Sequence, residues 1–272
     1  MTFFLRQDDS IEIVADTLNL FRAVPVIRFE SAGFFGFLCD VGSILSGVEL
    51  SDFGLCNFLH ERERLFLQTV RATNFKYSWL AGRLLAKSAW LRLNSNNDLI
   101  TTNHKKNSRL IPALNQLCII SRDSFNRSIA PVMFFGDVVL SDSFSFSISH
   151  IDSFAAVFFV RGGCLRVGCD LVEPDSVTVN LQRLFFAQSE IDMIGDSDKN
   201  CLVQFQGERI WSVKETAFKI LGNNRSFKPQ QWLTSYIGNG WYRCKDTRSQ
   251  DQKTINIRTI IIKNKILAIG GE

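Results

Sequence analysis

Asp170 asks for a chemical explanation, because it stands near the end of the run Leu165–Val172 (LRVGCDLV), which is apolar after Arg166 except for it. A carboxylate buried there unpaired would be costly. A strand-end aspartate that caps a turn or faces water accounts for it equally well. Glu215 is the second candidate. It lies in GERIWSVKETAFKIL, Gly207–Leu221, where Trp211, Glu215 and Lys219 recur every four residues and so line one stripe of a helix. The plain alternative is a solvated charged face with i,i+4 pairing, worth only ~0.2–0.5 kcal/mol. Lys214, next to Glu215, points about 100° away around the helix. His150 follows Ser149 at the end of a strand-like run, and a lone histidine is ordinarily structural. Arg71, Lys76, Arg83 and Lys87 lie in or just before a first-half helix, as basic side chains that meet either phosphate or water.

The elements that would position these residues can be read from periodicity. Strand-like stretches Ile11–Val14 and Val24–Phe29 precede a polar, helix-prone stretch, Leu59–Leu67. Tyr77–Leu93 is the strongest helix of the first half, with Leu80, Leu84, Trp90 and Leu91 near one face. Asn94–Arg109, rich in Asn, Lys and Thr, reads as a loop. Phe144–His150 and Ser153–Val160 read as strands, and a turn at Arg161–Gly163 leads to Leu165–Val172, which Pro174 stops. The second strong helix runs to Leu221, where Gly222 and Asn223 supply a helix stop. Ile255–Ile262 and Lys265–Ile269 form a closing strand pair. Trp79, Arg83 and Lys87 repeat the spacing of Trp211, Glu215 and Lys219 at an offset of 132 residues. The expected fold class is therefore α+β: two similar halves, 1–163 and 164–272, related by a pseudo-twofold, each a long helix packed on a small, mainly antiparallel sheet.

Bulk properties narrow the function classes. At 272 residues the chain can bury a sizeable core, and its 24 phenylalanines make that core aromatic. A net charge of +4 is too mild to argue for nucleic acid. Residues 223–265 nevertheless carry nine Lys or Arg against Asp246 and Asp251, a basic stretch able to meet an acidic partner. The seven cysteines make no CxxC pair, which suggests neither a disulfide framework nor a zinc site but reduced thiols in a cytoplasmic protein. No signal peptide and no membrane-spanning run is expected.

Taken in order, Ser147-Ile148-Ser149-His150, Gly168-Cys169-Asp170 and Trp211-Ser212-Val213-Lys214-Glu215-Thr216-Ala217-Phe218-Lys219 resemble the 4′-phosphopantetheinyl transferase superfamily, of the surfactin-synthetase-activating type. The family pattern is roughly G-[IV]-D followed by W-[ST]-x-K-E-[AS]-x-x-K. WLAGRLLAK (Trp79–Lys87) and FFAQSE (Phe185–Glu190) are similar to further family stretches, and the likeness runs from about Glu63 to Gly222.

The resemblance implies transfer of the phosphopantetheine arm of coenzyme A to a serine of an acyl or peptidyl carrier protein, with release of 3′,5′-ADP. It implies Mg2+, with Mn2+ as a substitute, on Asp170 and Glu215, with these two and Lys219 forming the catalytic set. It implies coenzyme phosphates against Ser149 and His150, with Lys214 nearby, and a 3′-phosphate among Arg71, Lys76, Arg83 and Lys87. It further implies a monomer; with the charge, cysteine and apolar-run readings above, a cytoplasmic protein that binds neither nucleic acid nor membrane is expected. The chain departs from the family in three places. Val172 stands where many relatives place a third acid, Ile129-Ala130-Pro131 stands near a missing Gly-Lys-Pro, and Thr216 replaces Ala or Ser. Glu173 should point to the face opposite Asp170, so water rather than Glu173 is expected to complete the metal shell. Two other classes remain open: a degenerate relative that binds carrier protein or coenzyme A without transfer, and an acyltransferase. The latter would need a nucleophile or base dyad that His60, His104 and His150 do not visibly supply.

Overall fold

The structure, a computed structural model, describes residues 4–14, 21–31, 33–45, 58–94, 114–122, 128–140, 144–162, 165–200, 204–222, 225–249, 251 and 253–272. The chain divides into two compact units, Met1–Ser121 with Pro131–Gly163, and Arg122–Ala130 with Cys164–Glu272. Residues 122–130 thus go with the second unit, against the simple division at 163/164. The fold is mixed α/β, and its sheets are antiparallel. Among the described residues no helix is long and apolar enough to cross a membrane.

The first unit contains β1 (Phe4–Val14), β2 (Phe21–Ser31), β3 (Phe34–Asp40), α1 (Val41–Leu45), α2 (Glu61–Thr69) and α3 (Thr73–Asn94). The short strands β4 (Leu117–Arg122, its last residue counted with the second unit), β5 (Ser128–Phe135, its first three residues likewise) and β6 (Val138–Val139) follow, then β7 (Phe144–His150) and β8 (Phe154–Arg161). Its main sheet has the order β1-β2-β3-β8-β7. α3 has no valine or isoleucine and is rich in Leu and Ala, so its helical preference is local as well as tertiary. Residues 78–89 are buried on every side, not along one apolar stripe, and Arg83 and Lys87 go into the interior with the leucines. Except for Asn94, which ends α3, the segment expected to be a loop (94–109) lies outside the described residues.

The second unit contains β9 (Val167–Val172), α4 (Val179–Phe185), α5 (Gln188–Asn200), α6 (Gln206–Leu221), β10 (Trp232–Gly238), β11 (Trp241–Asp246), β12 (Thr254–Ile262) and β13 (Lys265–Gly271). The sheet order is β10-β11-β12-β13-β9. α6 buries Ile210, Val213, Ala217 and Ile220 at helical spacing against alternate strand residues, among them Trp232, Tyr242, Cys244, Ile255, Ile257, Ile266 and Ala268.

Each unit ties its long helix down with the same buried ion pair. In the first, Lys87 Nζ donates to Glu63 Oε2 at 2.5 Å, to Phe58 O at 3.2 Å and to Leu114 O at 3.1 Å. Glu63 in turn accepts the backbone N–H groups of His60 and Ile119 at 3.0 and 3.1 Å. In the second, Lys214 Nζ donates to Glu190 Oε2 at 2.6 Å and to Phe185 O and Pro229 O, both at 3.2 Å. Glu190 accepts the N–H groups of Ala187 and Thr234 at 2.8 and 2.7 Å. Three donors and two carboxylate oxygens are thus matched in each, which is what a buried pair requires to offset its desolvation. Glu190 and Lys214 both stand 127 residues after their counterparts Glu63 and Lys87. The 132-residue offset, which sets Lys87 against Lys219, is therefore out of register by more than a helical turn.

Candidate active site

β9 is an edge strand that pairs antiparallel with β13, with Asp170 opposite Ala268. Gly168, Asp170 and Val172 share one strand face, which α6 covers. The strand lies so close to the helix that a Cβ on Gly168 would sit 2.6 Å from the carbonyl oxygen of Thr216 and 2.7 Å from Ile220. A side chain can give way, but a helix carbonyl cannot. Gly168→Ala should therefore push β9 off α6, costing about 1–3 kcal/mol and moving Asp170 away from the helix. A thermal melt unchanged from wild type would refute this contact.

Asp170 is 4% exposed, and Lys219 Nζ donates to its Oδ1 and to Cys169 O, both at 2.8 Å. One turn back along α6, Trp211 Nε1 donates to Glu215 Oε1 at 3.0 Å, and the indole is itself wedged edge-on between Phe185 and Phe227. Burial, then the charge of Asp170, pushes the Glu215 carboxyl up to about 7; Asp170 also acts on it as a hydrogen-bond partner. For Lys219 burial works against the charge, but Asp170 and Glu215 outweigh it and hold the ammonium above the ordinary lysine range. The stripe Trp211–Glu215–Lys219 thus closes onto Asp170, bringing two carboxylates and one cation together with Asp170 buried and Glu215 and Lys219 half-buried. Among the described residues no cluster of three or more His, Cys, Asp or Glu side chains is placed to hold a metal. Glu173 pairs with Lys265 at 2.5 Å, and Val172 packs in the core under α6.

In the first unit, His150 Nδ1 lies 3.1 Å from Ser78 Oγ, and its ring meets Phe75 edge-on at 5.4 Å. Ser149 beside it is buried. Arg71 is exposed just before α3, and Lys76 is half-buried in its first turns, at the end of the helix that carries Phe75 and Ser78. The four basic candidates therefore separate. Arg83 is 4% exposed, donates to Ser121 Oγ at 2.6 Å, lies 3.9 Å from Glu63 and stacks on Trp79. Lys87 spends its donors in the ion pair. For Arg83 and Lys87, and for Lys214 in the second unit, the structure replaces the expected phosphate contact with a place in the interior, because each meets a buried glutamate or its neighbours. Sequence reasoning missed both glutamates. The signal was present in Phe58-Leu59-His60-Glu61-Arg62-Glu63 and Phe185-Phe186-Ala187-Gln188-Ser189-Glu190, which share a phenylalanine and, five residues on, a glutamate at the third helical position.

No protein-family model matches the chain, and no curated protein matches it significantly.

Proposed function

We propose that this chain transfers the 4′-phosphopantetheine arm of coenzyme A to a serine of an acyl or peptidyl carrier protein, with Mg2+ or Mn2+ held by Asp170 and Glu215. The observation that supports this reading is the stripe Trp211–Glu215–Lys219 closed onto Asp170. Carboxylate oxygens are the donors that hard divalent cations take, and a cation would relieve the like-charge contact that raises Glu215. When bound, it would neutralise charge on the pyrophosphate as the bond breaks. The remaining work belongs to the protein. Trp211 orients Glu215 through one carboxyl oxygen, and that carboxyl takes the proton of the attacking serine hydroxyl, directly or through water. The serine oxygen bonds to the phosphorus bearing the pantetheine arm, and 3′,5′-ADP leaves. Lys219 holds Asp170 oriented through its Oδ1.

We read the units as two copies of one frame, a reading supported by the repeated Glu–Lys pairs. With Lys87 set on Lys214, Ser88 falls at the place of Glu215 and Arg92 at that of Lys219, so the acid pair belongs to the second copy alone. His150, Ser149, Arg71 and Lys76 in the first copy would take the coenzyme's phosphates. A hydrogen bond to a charged group is worth about 1.5–3 kcal/mol, so His150→Ala should raise KM for coenzyme A by about tenfold or more with little change in kcat.

Mass spectrometry of an apo carrier protein incubated with the enzyme, Mg2+ and coenzyme A tests the reading. Gain of the phosphopantetheine mass on serine supports it. An unchanged carrier that is still bound favours the degenerate relative, and a bare acyl gain from acyl-coenzyme A favours an acyltransferase.

A further inference from the structure

The basic excess of the second unit resolves into a face. β10, β11 and β12 bury Trp232, Thr234, Tyr242, Cys244, Ile255 and Ile257 on the α6 side of the sheet, so the alternate residues point the other way. In register across the three strands, that outer face reads Leu233–Lys245–Thr254, then Ser235–Arg243–Asn256, then Trp241–Arg258. Leu233, Ser235, Arg243, Thr254 and Asn256 are exposed, and Lys245, Trp241 and Arg258 are half-buried. Arg243 neighbours Lys245 along β11 and Arg258 diagonally across the ladder, close enough for each pair to repel.

Among the described residues no carboxylate stands between them. Asp246, the next residue after Lys245, is on the buried side at 3% exposure and is engaged by Arg225 and by the N–H of Arg248. None of the three cations makes a salt bridge among the described residues. Arg258 lies over Trp241, 5.9 Å from the ring centroid, and its Nε is buried without a hydrogen-bond acceptor. The apolar side chains Leu233 and Ile237 border the cations, 37% and 47% exposed, on the edge strand β10.

We propose that this open face docks an acidic protein surface. An uncompensated cluster of cations attracts an acidic partner and steers its approach, while exposed leucine and isoleucine give that partner area to bury. A single-stranded nucleic acid fits less well, because the one aromatic ring on the face is stacked under Arg258 instead of being bare for a base. The face lies on the opposite side of the sheet from Asp170, so a partner held there leaves the acid pair open. A carrier protein held there is gripped away from the acid pair and is not the copy whose serine is modified; identifying the partner as a carrier rests on the proposed function, and the docking chemistry does not.

Three fluorescent probes test this by anisotropy: an apo acyl carrier protein with its acceptor serine replaced by alanine, poly-L-glutamate, and a single-stranded DNA oligonucleotide. Arg243→Glu/Lys245→Glu should weaken the carrier and poly-glutamate by about tenfold or more. The neutral pair Arg243→Gln/Lys245→Gln should weaken them less, and Lys263→Glu in the β12–β13 turn should change neither. Binding to the wild type should fall as salt rises. Equal affinity of wild type and the reversed variant for both acidic polypeptides overturns the proposal, as does DNA binding that exceeds poly-glutamate binding and is lost in the same variant. Salt-sensitive binding of poly-glutamate through Arg243 and Lys245 by an enzyme that never modifies a carrier would uphold the face and remove the transfer reading.

Discussion

Glu215→Gln is expected to lower transfer by about 10²–10⁴-fold from loss of the general base alone, and yet to make the metal-free protein more stable at pH 8. Both effects follow from the same contact. Burial and the adjacent Asp170 raise the Glu215 carboxyl from 4.5 to about 7 in the folded chain, so folding favours its neutral form. The stabilisation is complete below about pH 4.5 and disappears as the pH rises through 7. Glutamine has no proton to lose. In chelator, the melting temperature of the wild type should therefore fall relative to the variant between about pH 5 and pH 8. Mg2+ should reverse that fall for the wild type by binding the ionised pair, and should do little for the variant. Asp170→Asn should also abolish transfer. Wild-type turnover in Glu215→Gln would sink the assignment, and a wild-type melt at pH 8 that is indifferent to Mg2+ would remove the metal.

The meeting of Trp211, Glu215 and Lys219 with Asp170 was legible because helical spacing projects directly into space. Trp211, Glu215 and Lys219 at intervals of four do share a stripe, and Asp170 is drawn into it because Gly168 lets the strand approach. The hairpin β10–β11 was overlooked although Gly238-Asn239-Gly240, all three at positive φ, is a strong turn signal. Its core positions include Thr234 and Asp246, so alternation by hydropathy alone is broken there. α4 buries none of its residues, and α5 after it is mostly polar, with Ile191, Met193 and Ile194 its only large apolar side chains; neither stands out in a one-dimensional scan. The basic residues were harder for a different reason. Arg83, Lys87 and Lys214 look like surface cations by type, and only a tertiary partner reveals that they are interior. The offset of 132 residues aligned chemistry-bearing letters, whereas an offset of 127 aligns the two buried Glu–Lys pairs.

Lys214→Met is expected to cost about 3–5 kcal/mol of stability, and to leave coenzyme A affinity unchanged wherever the variant is folded. Removing the ammonium strands the Glu190 carboxylate, which keeps only the N–H groups of Ala187 and Thr234, and takes the donor from Phe185 O and Pro229 O. Domains are stable by only about 5–15 kcal/mol, so a loss of this size should move a urea midpoint far. Lys87→Met should cost a similar amount, since Glu63 holds it in the same way. The double variant Glu190→Leu/Lys214→Met should cost less than the two single changes together, because it leaves no unpaired charge in the interior. Lys219→Met, one turn along the same helix, should behave oppositely. Its side chain is 26% exposed and its partner is Asp170, so the change should spare more stability and remove more activity. Urea unfolding followed by circular dichroism, with calorimetric titration of coenzyme A, separates the two lysines. A stable Lys214→Met protein with weakened coenzyme A binding would return Lys214 to the ligand site and make the ion pair incidental.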